Sequence, residues 1–230
     1  MSTLYDSLPF NMYCEFHTPY REGVGTITQD VSKNHSVVTL VNAPTWSQLD
    51  TGKNYLSYNG TTQYAEAQDD TTANLNFTTG GYSLGGWFNW TDGGTAQNIM
   101  GRYELSVSGW ELYLYGPGGD LLNLRHHHAG GTDVRSSAYS TGWTDGVWWF
   151  FGVSREAGGQ ATFYRNGQAI TTVSVLEDIE TETRDLTIGT RYCKTTNFFK
   201  GGRTDDRGWS TALTADDWLT IYELEKGWFA

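Results

Sequence analysis

The chain has 230 residues, of which 38% are hydrophobic and 15% aromatic, so it can bury a substantial core and is not a disordered chain. It carries 15 lysines and arginines against 26 aspartates and glutamates, which gives a formal net charge of −11. This charge argues against binding to nucleic acid or to an anionic membrane surface, because both need basic residues. No stretch approaches the roughly 18–20 apolar residues of a membrane span.

The domain organisation predicted from the sequence is simple. Glycine and aromatic residues are spread evenly, and no linker or repeat interrupts them, which favours a single domain over residues 11–230. Residues 1–10 are expected to form a short arm, and they lack the basic and apolar regions of a secretory signal peptide. The two cysteines, Cys14 and Cys193, leave open either one disulfide or two unpaired thiols.

The first half of the chain has the pattern of short antiparallel strands punctuated by glycine. Residues 37–41 are rich in β-branched side chains, and residues 82–90 alternate around two glycines. Residues 110–115 alternate strictly, so Trp110 and its apolar partners face one side while the intervening tyrosines face the other. Residues 121–128 can run back antiparallel after a glycine-rich turn.

The second half predicts more strands and one helix. Residues 147–153 are apolar on both faces, which is typical of a central strand covered on both sides. The dipeptide Asn166-Gly167 signals a tight hairpin, and the spacing of these strands predicts an antiparallel sandwich or barrel. Near the end, Thr214 and Asp217 form a capping-box pattern ahead of an apolar stripe that includes Trp218, which predicts a short helix.

A series of short motifs runs along the chain in a recognisable order. They are EGVGT (22–26), DVSKN (30–34), APTW (43–46), YLSYNG with QYA (55–60 and 63–65), FYRNG (163–167), and FKG, DD and WSTALT (199–201, 205–206 and 209–214). In this order they resemble the laminin-G-like, concanavalin A-like jelly-roll family of lectins and glucanases, over residues 11–228. The resemblance implies an all-β fold, an antiparallel jelly-roll β-sandwich with one short C-terminal helix.

The resemblance also implies a metal site and shows one departure. Family members often carry a calcium ion that ties the N-terminal loop to the closing strand, and calcium takes six to eight oxygen ligands. The matching residues here are Asp30, Asn34, Asp205 and Asp206. The alternative is that Asp30 and Asn34 only form Asx-turns and that Asp205 pairs with a neighbouring arginine. The closing strand departs from the family's aliphatic pattern, so we expect it to be exposed or paired: Arg203, Asp206, Arg207 and Gly208.

Catalysis is not predicted. Glycoside hydrolysis needs two carboxylates that flank the scissile bond. The acidic run at residues 177–182 has the wrong spacing and lies between strands, and Glu111 has no carboxylate partner in the pattern. The sequence therefore predicts no enzyme activity.

Glycan binding is the favoured chemistry. Aromatic faces that stack on sugar rings, together with a few polar groups, are what such a site requires. Alternation places five suitable residues on one face of a predicted hairpin: Tyr113, Tyr115, Asn123, Arg125 and His127. The alternative is ordinary decoration of a solvent-facing strand.

The functional hypothesis combines recognition with display. We expect a non-enzymatic surface recognition or decoration module on the outside of a particle such as a virion capsid or tail, with a glycan or host-surface polysaccharide as ligand. Residues 1–10 are the predicted contact with other particle or shell proteins, and homo-oligomerisation is left open. The alternatives are a secreted, lectin-like carbohydrate-binding protein and, less favoured, a glycoside hydrolase.

Overall fold

A computed structural model describes residues 8–115, 121–129, 131–136, 143–173 and 176–229. These residues form sixteen strands and two α-helices, α1 (Asp69–Thr72) and α2 (Ala215–Glu225), with short 3-10 turns at Pro9–Tyr13, Ala73–Leu75 and Lys226–Trp228. The strands are β1 (Cys14–Thr18), β2 (Ile27–Gln29), β3 (Val37–Val41), β4 (Thr45–Gln48), β5 (Asn54–Asn59), β6 (Tyr64–Ala67), β7 (Tyr82–Trp90), β8 (Gln97–Glu104), β9 (Ser108–Leu114), β10 (Leu122–His128), β11 (Gly131–Ser136), β12 (Trp148–Arg155), β13 (Ala161–Arg165), β14 (Gln168–Val173), β15 (Leu186–Ile188) and β16 (Lys200–Trp209).

The strands form two antiparallel sheets that pack face to face. Sheet A has the order β14-β13-β12-β7-β16-β5-β4, and β1 also pairs with β16. Sheet B has the order β11-β10-β9-β8-β15-β6-β3-β2. The predicted jelly-roll sandwich is therefore confirmed. No helix in the described part of the chain is long and apolar enough to cross a membrane.

Apolar side chains from both sheets fill an inner core. Trp110, Leu112 and Leu114 of β9 point into it, as their alternation predicts, and the returning β10 contributes Leu122 and Leu124. Because these side chains take the inner face, their neighbours along β9 and β10 occupy the outer face of sheet B.

A second core covers the outer face of sheet A. Strand β12 lies between the two cores, with Phe151 in the inner one and Phe150 in the outer one, which confirms a strand covered on both sides. The outer core also takes in Phe10, which is only 5% exposed. Leu8 and Phe10 therefore pack against the domain, and residues 1–7 of the predicted arm lie outside the described residues.

Helix α2 closes the outer core with the predicted cap. Thr214 Oγ1 accepts a hydrogen bond from the Asp217 backbone N–H at 3.2 Å, and the Asp217 carboxylate accepts one from the Thr214 N–H at 2.8 Å. Trp218 is fully buried, and its indole lies directly against the glycines of two neighbouring strands, Gly85 and Gly152.

The closing strand β16 lies in the interior of sheet A and has a bulge between Thr204 and Arg207. Strand β7 flanks it on one side, while β5 and then β1 flank it on the other. The charged side chains of residues 203–207 are buried and paired: Arg203 with Asp206, and Arg207 with both Glu225 and Asp205. Of the two predicted outcomes, exposure or pairing, the structure shows pairing.

Candidate functional site

The five residues predicted to bind a glycan lie on or beside neighbouring strands of sheet B. Tyr113 of β9 stands opposite Asn123 of β10, and Glu111 stands opposite Arg125. The Arg125 guanidinium lies 4.6 Å from the centroid of the Tyr113 ring and donates hydrogen bonds to the Tyr113 hydroxyl at 2.5 Å and to Glu111 at 2.7 Å. These side chains therefore lie on the predicted face of the hairpin and close to one another.

The predicted exposure is wrong for most of this patch. Tyr113 is 4%, Asn123 3% and His127 0% exposed, whereas Arg125 is half-buried and Tyr115 is 58% exposed. Alternation along a strand tells which face a side chain occupies, but not what covers that face. A stacking platform for sugar rings needs open aromatic faces, which this group does not offer apart from Tyr115.

The cover includes the segment that follows β15. The His127 ring stacks on Tyr103 with a centroid distance of 4.5 Å, and Tyr192 packs on Tyr103 at 5.0 Å. Arg191 Nε donates to the Tyr103 hydroxyl at 3.3 Å. Tertiary packing from a distant loop therefore converts a surface predicted from local alternation into a buried polar cluster.

Glu111 is the charged centre of this cluster. Its carboxylate accepts hydrogen bonds from Arg125 at 2.7 Å, from Asn98 Nδ2 at 3.2 Å and from His127 Nε2 at 3.3 Å. Burial acts to raise the pKa of Glu111, but the hydrogen bond from His127 and the charge of Arg125 outweigh it and hold the pKa below its usual value. Glu111 therefore stays ionised and stabilises its donors.

The N-terminal half of the predicted calcium site is occupied by protein donors. Asp30 accepts hydrogen bonds from the backbone N–H groups of His17 at 2.9 Å and Ser32 at 2.8 Å, and from the Ser32 hydroxyl at 2.8 Å. Asn34 donates its amide to the Glu15 carbonyl oxygen at 2.8 Å. Asp30 thus forms the Asx-turn given as the alternative.

The closing-strand half is likewise neutralised. Asp205 accepts from Lys53 at 2.6 Å, from His17 at 2.9 Å and from Arg207 at 3.2 Å. Asp206 accepts from the Tyr20 hydroxyl at 2.7 Å and pairs with Arg203. These carboxylates face cations and N–H or O–H donors, so the four residues do not fit a calcium ion.

The histidine, cysteine and acidic side chains also bear on metal binding and on disulfide formation. The described residues contain no group of three or more His, Cys, Asp or Glu side chains arranged to hold a metal ion. Cys14 and Cys193 are unpaired thiols, so the disulfide alternative is wrong.

A concave site that was not predicted from the sequence lies beside β1. We call it the N-terminal cleft. It has a volume of about 180 Å³. Its walls come from the first 3-10 turn, from β1 and the residues after it, and from the loop between β2 and β3: Asn11, Cys14, His17, Arg21, Val31, Ser32 and Lys33. None of these lining residues is an aspartate or glutamate.

The cleft has a neutral inner wall and a cationic rim. Burial lowers the pKa of His17 to about 4, so the imidazole is uncharged at neutral pH. Burial also raises the pKa of the Cys14 thiol to about 12, so it is not a thiolate nucleophile. Arg21 and Lys33 are exposed, and Val31 is 42% exposed. The cleft is therefore suited to binding rather than to nucleophilic catalysis.

The sequence held a partial signal for this cleft. The side-chain oxygens of Asp30 and Asn34 mark this loop as a candidate cation ligand in the sequence. The basic and apolar residues of the same segment, Val31 and Lys33, line the cleft instead. His17 meets this loop directly, because its N–H donates to Asp30 at 2.9 Å and its carbonyl oxygen accepts from the Val31 N–H at 2.8 Å.

The chain was compared with known families and structures. A family model for the concanavalin A-like lectin/glucanases superfamily matches residues 59–217. No curated protein sequence matches the chain. Among solved structures, the binding domain of botulinum neurotoxin serotype G superposes with a TM-score of 0.72 at 13% identity, covering 92% of this chain and 51% of that chain.

Two related toxin structures are similarly close. The binding domain of botulinum neurotoxin DC in complex with SialylT gives a TM-score of 0.72 at 14% identity, covering 94% of this chain and 52% of that chain. The same domain in complex with rat synaptotagmin II gives 0.70 at 13% identity, with coverage of 93% and 52%. The chain thus spans about half the length of these neighbours. The match to the family model and the observed sandwich agree: the chain belongs to the concanavalin A-like lectin/glucanase superfamily.

Proposed function

We propose that this protein is a non-enzymatic recognition module that binds a glycan in the N-terminal cleft. The observation that carries the proposal is the composition of the cleft, which combines a guanidinium, an amide, a hydroxyl and an apolar valine in one concavity. A ligand site combines a few polar groups with an apolar surface. In this cleft the apolar surface is Val31 rather than the aromatic face expected from the sequence. The superfamily includes lectins, and one structural neighbour was solved with SialylT, which is consistent with this chemistry.

The absence of catalysis is part of the proposal. Glu111 is bound to hydrogen-bond donors such as Arg125 rather than to a second carboxylate. In the acidic run at 177–182, Glu182 accepts hydrogen bonds from the Ser108 hydroxyl at 2.7 Å and from the Thr183 N–H at 2.7 Å. A glycosidase would need two carboxylates about 5–9.5 Å apart across a substrate. Turnover of mixed β-glucans that falls by orders of magnitude with Glu111→Gln would overturn this part.

A glycan array compares the wild type with two variants. Val31→Asp places a carboxylate in the cleft, and Val24→Asp makes the same change in an exposed loop that does not line it. We expect Val31→Asp to weaken binding at least about tenfold, equivalent to about 1.4 kcal/mol, and Val24→Asp to leave it unchanged. If the wild type binds no glycan, the function is wrong. If both variants bind like the wild type, the site is wrong.

We also propose that the protein lies outside the cell or on the surface of a particle, because a module that recognises host glycans has to be exposed to them. Density-gradient fractionation of the native source locates the chain. Co-sedimentation with particles in a fixed ratio to a major shell protein supports the particle-bound form. Recovery only in the free secreted fraction supports a stand-alone, lectin-like protein instead.

A further inference from the structure

We infer that the ligand of the N-terminal cleft is a terminal sugar that carries a carboxylate, and that Arg21 binds this carboxylate. The inference rests on the proposed function and adds the chemical class of the ligand. It follows from the charge of the cleft, from the pairing of the surrounding carboxylates and from the size of the cavity.

The residues that line the cleft include no acidic side chain, whereas the molecule as a whole is acidic. Acidic residues outnumber lysines and arginines 26 to 15 in the whole chain. In the cleft, the ionisable groups are the guanidinium of Arg21, the ammonium of Lys33, the neutral imidazole of His17 and the protonated thiol of Cys14, and no carboxylate lines the cavity. Because Lys33 is paired with Glu15, the unbalanced charge of the cleft is the Arg21 guanidinium, which favours an anionic ligand at that point.

Several carboxylates near the lining residues in sequence or fold are already engaged. Glu22, next to Arg21, accepts from the Thr28 hydroxyl at 2.8 Å and from the Gln29 N–H at 2.9 Å. Glu15 accepts from Lys33 at 2.8 Å and from the Ser210 hydroxyl at 2.8 Å. Asp30 accepts backbone N–H groups, and Asp205 is held by Lys53 and Arg207. Glu15 therefore neutralises Lys33, and none of these carboxylates forms an ion pair with Arg21.

Arg21 is therefore the cation that remains available. No carboxylate among the described residues forms an ion pair with it, whereas Lys33 is bound to Glu15. The backbone carbonyl of Arg21 accepts from Asn54 Nδ2 at 3.0 Å, which anchors the position from which its side chain extends. A guanidinium presents a planar fork of donors that matches a carboxylate with two parallel hydrogen bonds.

The rest of the cleft explains why a sugar carboxylate is favoured over a simple anion. An exposed ion pair alone contributes little, so the ligand must also make apolar and neutral polar contacts. Val31 offers a face for the carbon skeleton of the ring, and the polar residues Asn11 and Ser32 form part of the surrounding wall. The volume of about 180 Å³ is below the roughly 300–1,000 Å³ of sites for drug-sized ligands, so one terminal residue fits rather than a chain.

The test uses oligosaccharides that differ only in the terminal group. One set ends in a sialic acid, one in a uronic acid, and each is paired with its carboxyl methyl ester and with the oligosaccharide lacking the acidic sugar. Titration of the full chain by calorimetry should show binding to the free acids and at least about tenfold weaker binding to the esters and neutral forms. The two acids separate the two sources of a sugar carboxylate.

Three variants assign the contact. Arg21→Ala should lose at least about tenfold in affinity for the acid, and Arg21→Lys should recover part of it, because the charge returns without the fork. Arg184→Ala, which removes a guanidinium outside the cleft, should bind like the wild type. Thermal unfolding of each variant shows that the fold is retained.

The outcomes separate this inference from the proposed function. Equal binding of acids, esters and neutral forms overturns the inference and leaves glycan recognition standing. Binding that depends on the carboxylate but is unchanged in Arg21→Ala overturns the assignment of Arg21. Absence of binding to every acidic and neutral glycan overturns both.

Discussion

His17 shows how a single buried side chain joins the first strand to the closing strand. Its Nε2 donates to Asp205 at 2.9 Å, and its backbone N–H donates to Asp30. Arg207 and Lys53 bind the same Asp205 carboxylate, so both cations lie near the His17 ring. Burial and these two cations outweigh the effect of Asp205, so the pKa of His17 falls to about 4.

This lowered pKa predicts a loss of stability in mild acid. As the pH falls below about 6.5, the unfolded chain takes up a proton at His17, whereas the folded chain does so only near pH 4. The free energy of unfolding should therefore fall by up to about 3 kcal/mol between these two values. Burial lowers the pKa of His127 as well, so His127 contributes in the same direction. Urea unfolding at a series of pH values measures this slope.

A pair of histidine variants assigns the effect. His17→Gln keeps an amide donor toward Asp205 but cannot titrate, so its unfolding free energy should depend less steeply on pH. His35 is exposed, and His35→Gln should retain the full dependence. The pKa of Asp205 is lowered from its ordinary value of 3.8, so Asp205 affects the free energy of unfolding only below about that pH. It therefore does not account for the change between pH 6.5 and pH 4. Equal slopes in the three proteins would contradict the assignment to His17.

At the scale of elements, local chemistry predicted what depends on neighbours in sequence. The cap of α2 needs only Thr214 and Asp217, three residues apart, and both form the predicted bonds. The hairpin at Asn166-Gly167 needs two residues with positive φ, which are observed at 49° and 75°. These features were predictable because the atoms that form them are close in the chain.

The docking of α2 was not predictable, since it depends on three distant elements. A Cβ added to Gly152 of β12 would lie 2.6 Å from the Trp218 ring, and one added to Gly85 of β7 would lie equally close. The absence of side chains at these two positions makes room for the indole, whose Nε1 donates to the Ser154 hydroxyl at 2.8 Å. Glycine within a strand indicates such a close approach, but not which residue makes it.

Adding one methyl group at this contact should loosen the helix. Gly152→Ala is expected to lower the free energy of unfolding by about 1–3 kcal/mol, because the overpacked indole has to shift within a dense core. Gly80→Ala is the matched control, since a Cβ there meets no atom within 4 Å. Denaturant unfolding followed by tryptophan fluorescence measures both. A Gly152→Ala protein as stable as Gly80→Ala would show that Trp218 is not held against β12.

At the scale of the whole molecule, the fold was predictable and the candidate site was not. The strand patterns and the ordered motifs specify a sandwich because the inner-core side chains of each strand repeat with period two. What covers the outer faces depends on chain segments far apart. Tyr192 packs on Tyr103, which stacks on His127 of the predicted patch, although these three residues are far apart in the sequence.

The pairing of the buried carboxylates predicts that the molecule is stable without calcium. Each carboxylate of the predicted ligand group already has donors from the protein: Asp30 from backbone N–H groups, Asp205 from Lys53, and Asp206 from Tyr20 and Arg203. A calcium ion would have to displace these buried partners and leave them unpaired, which costs more than it returns. The midpoint of thermal unfolding should therefore be the same in calcium and in a chelator such as EDTA. A clear rise in calcium that is lost in Asp205→Asn would show that the carboxylates rearrange to bind the ion.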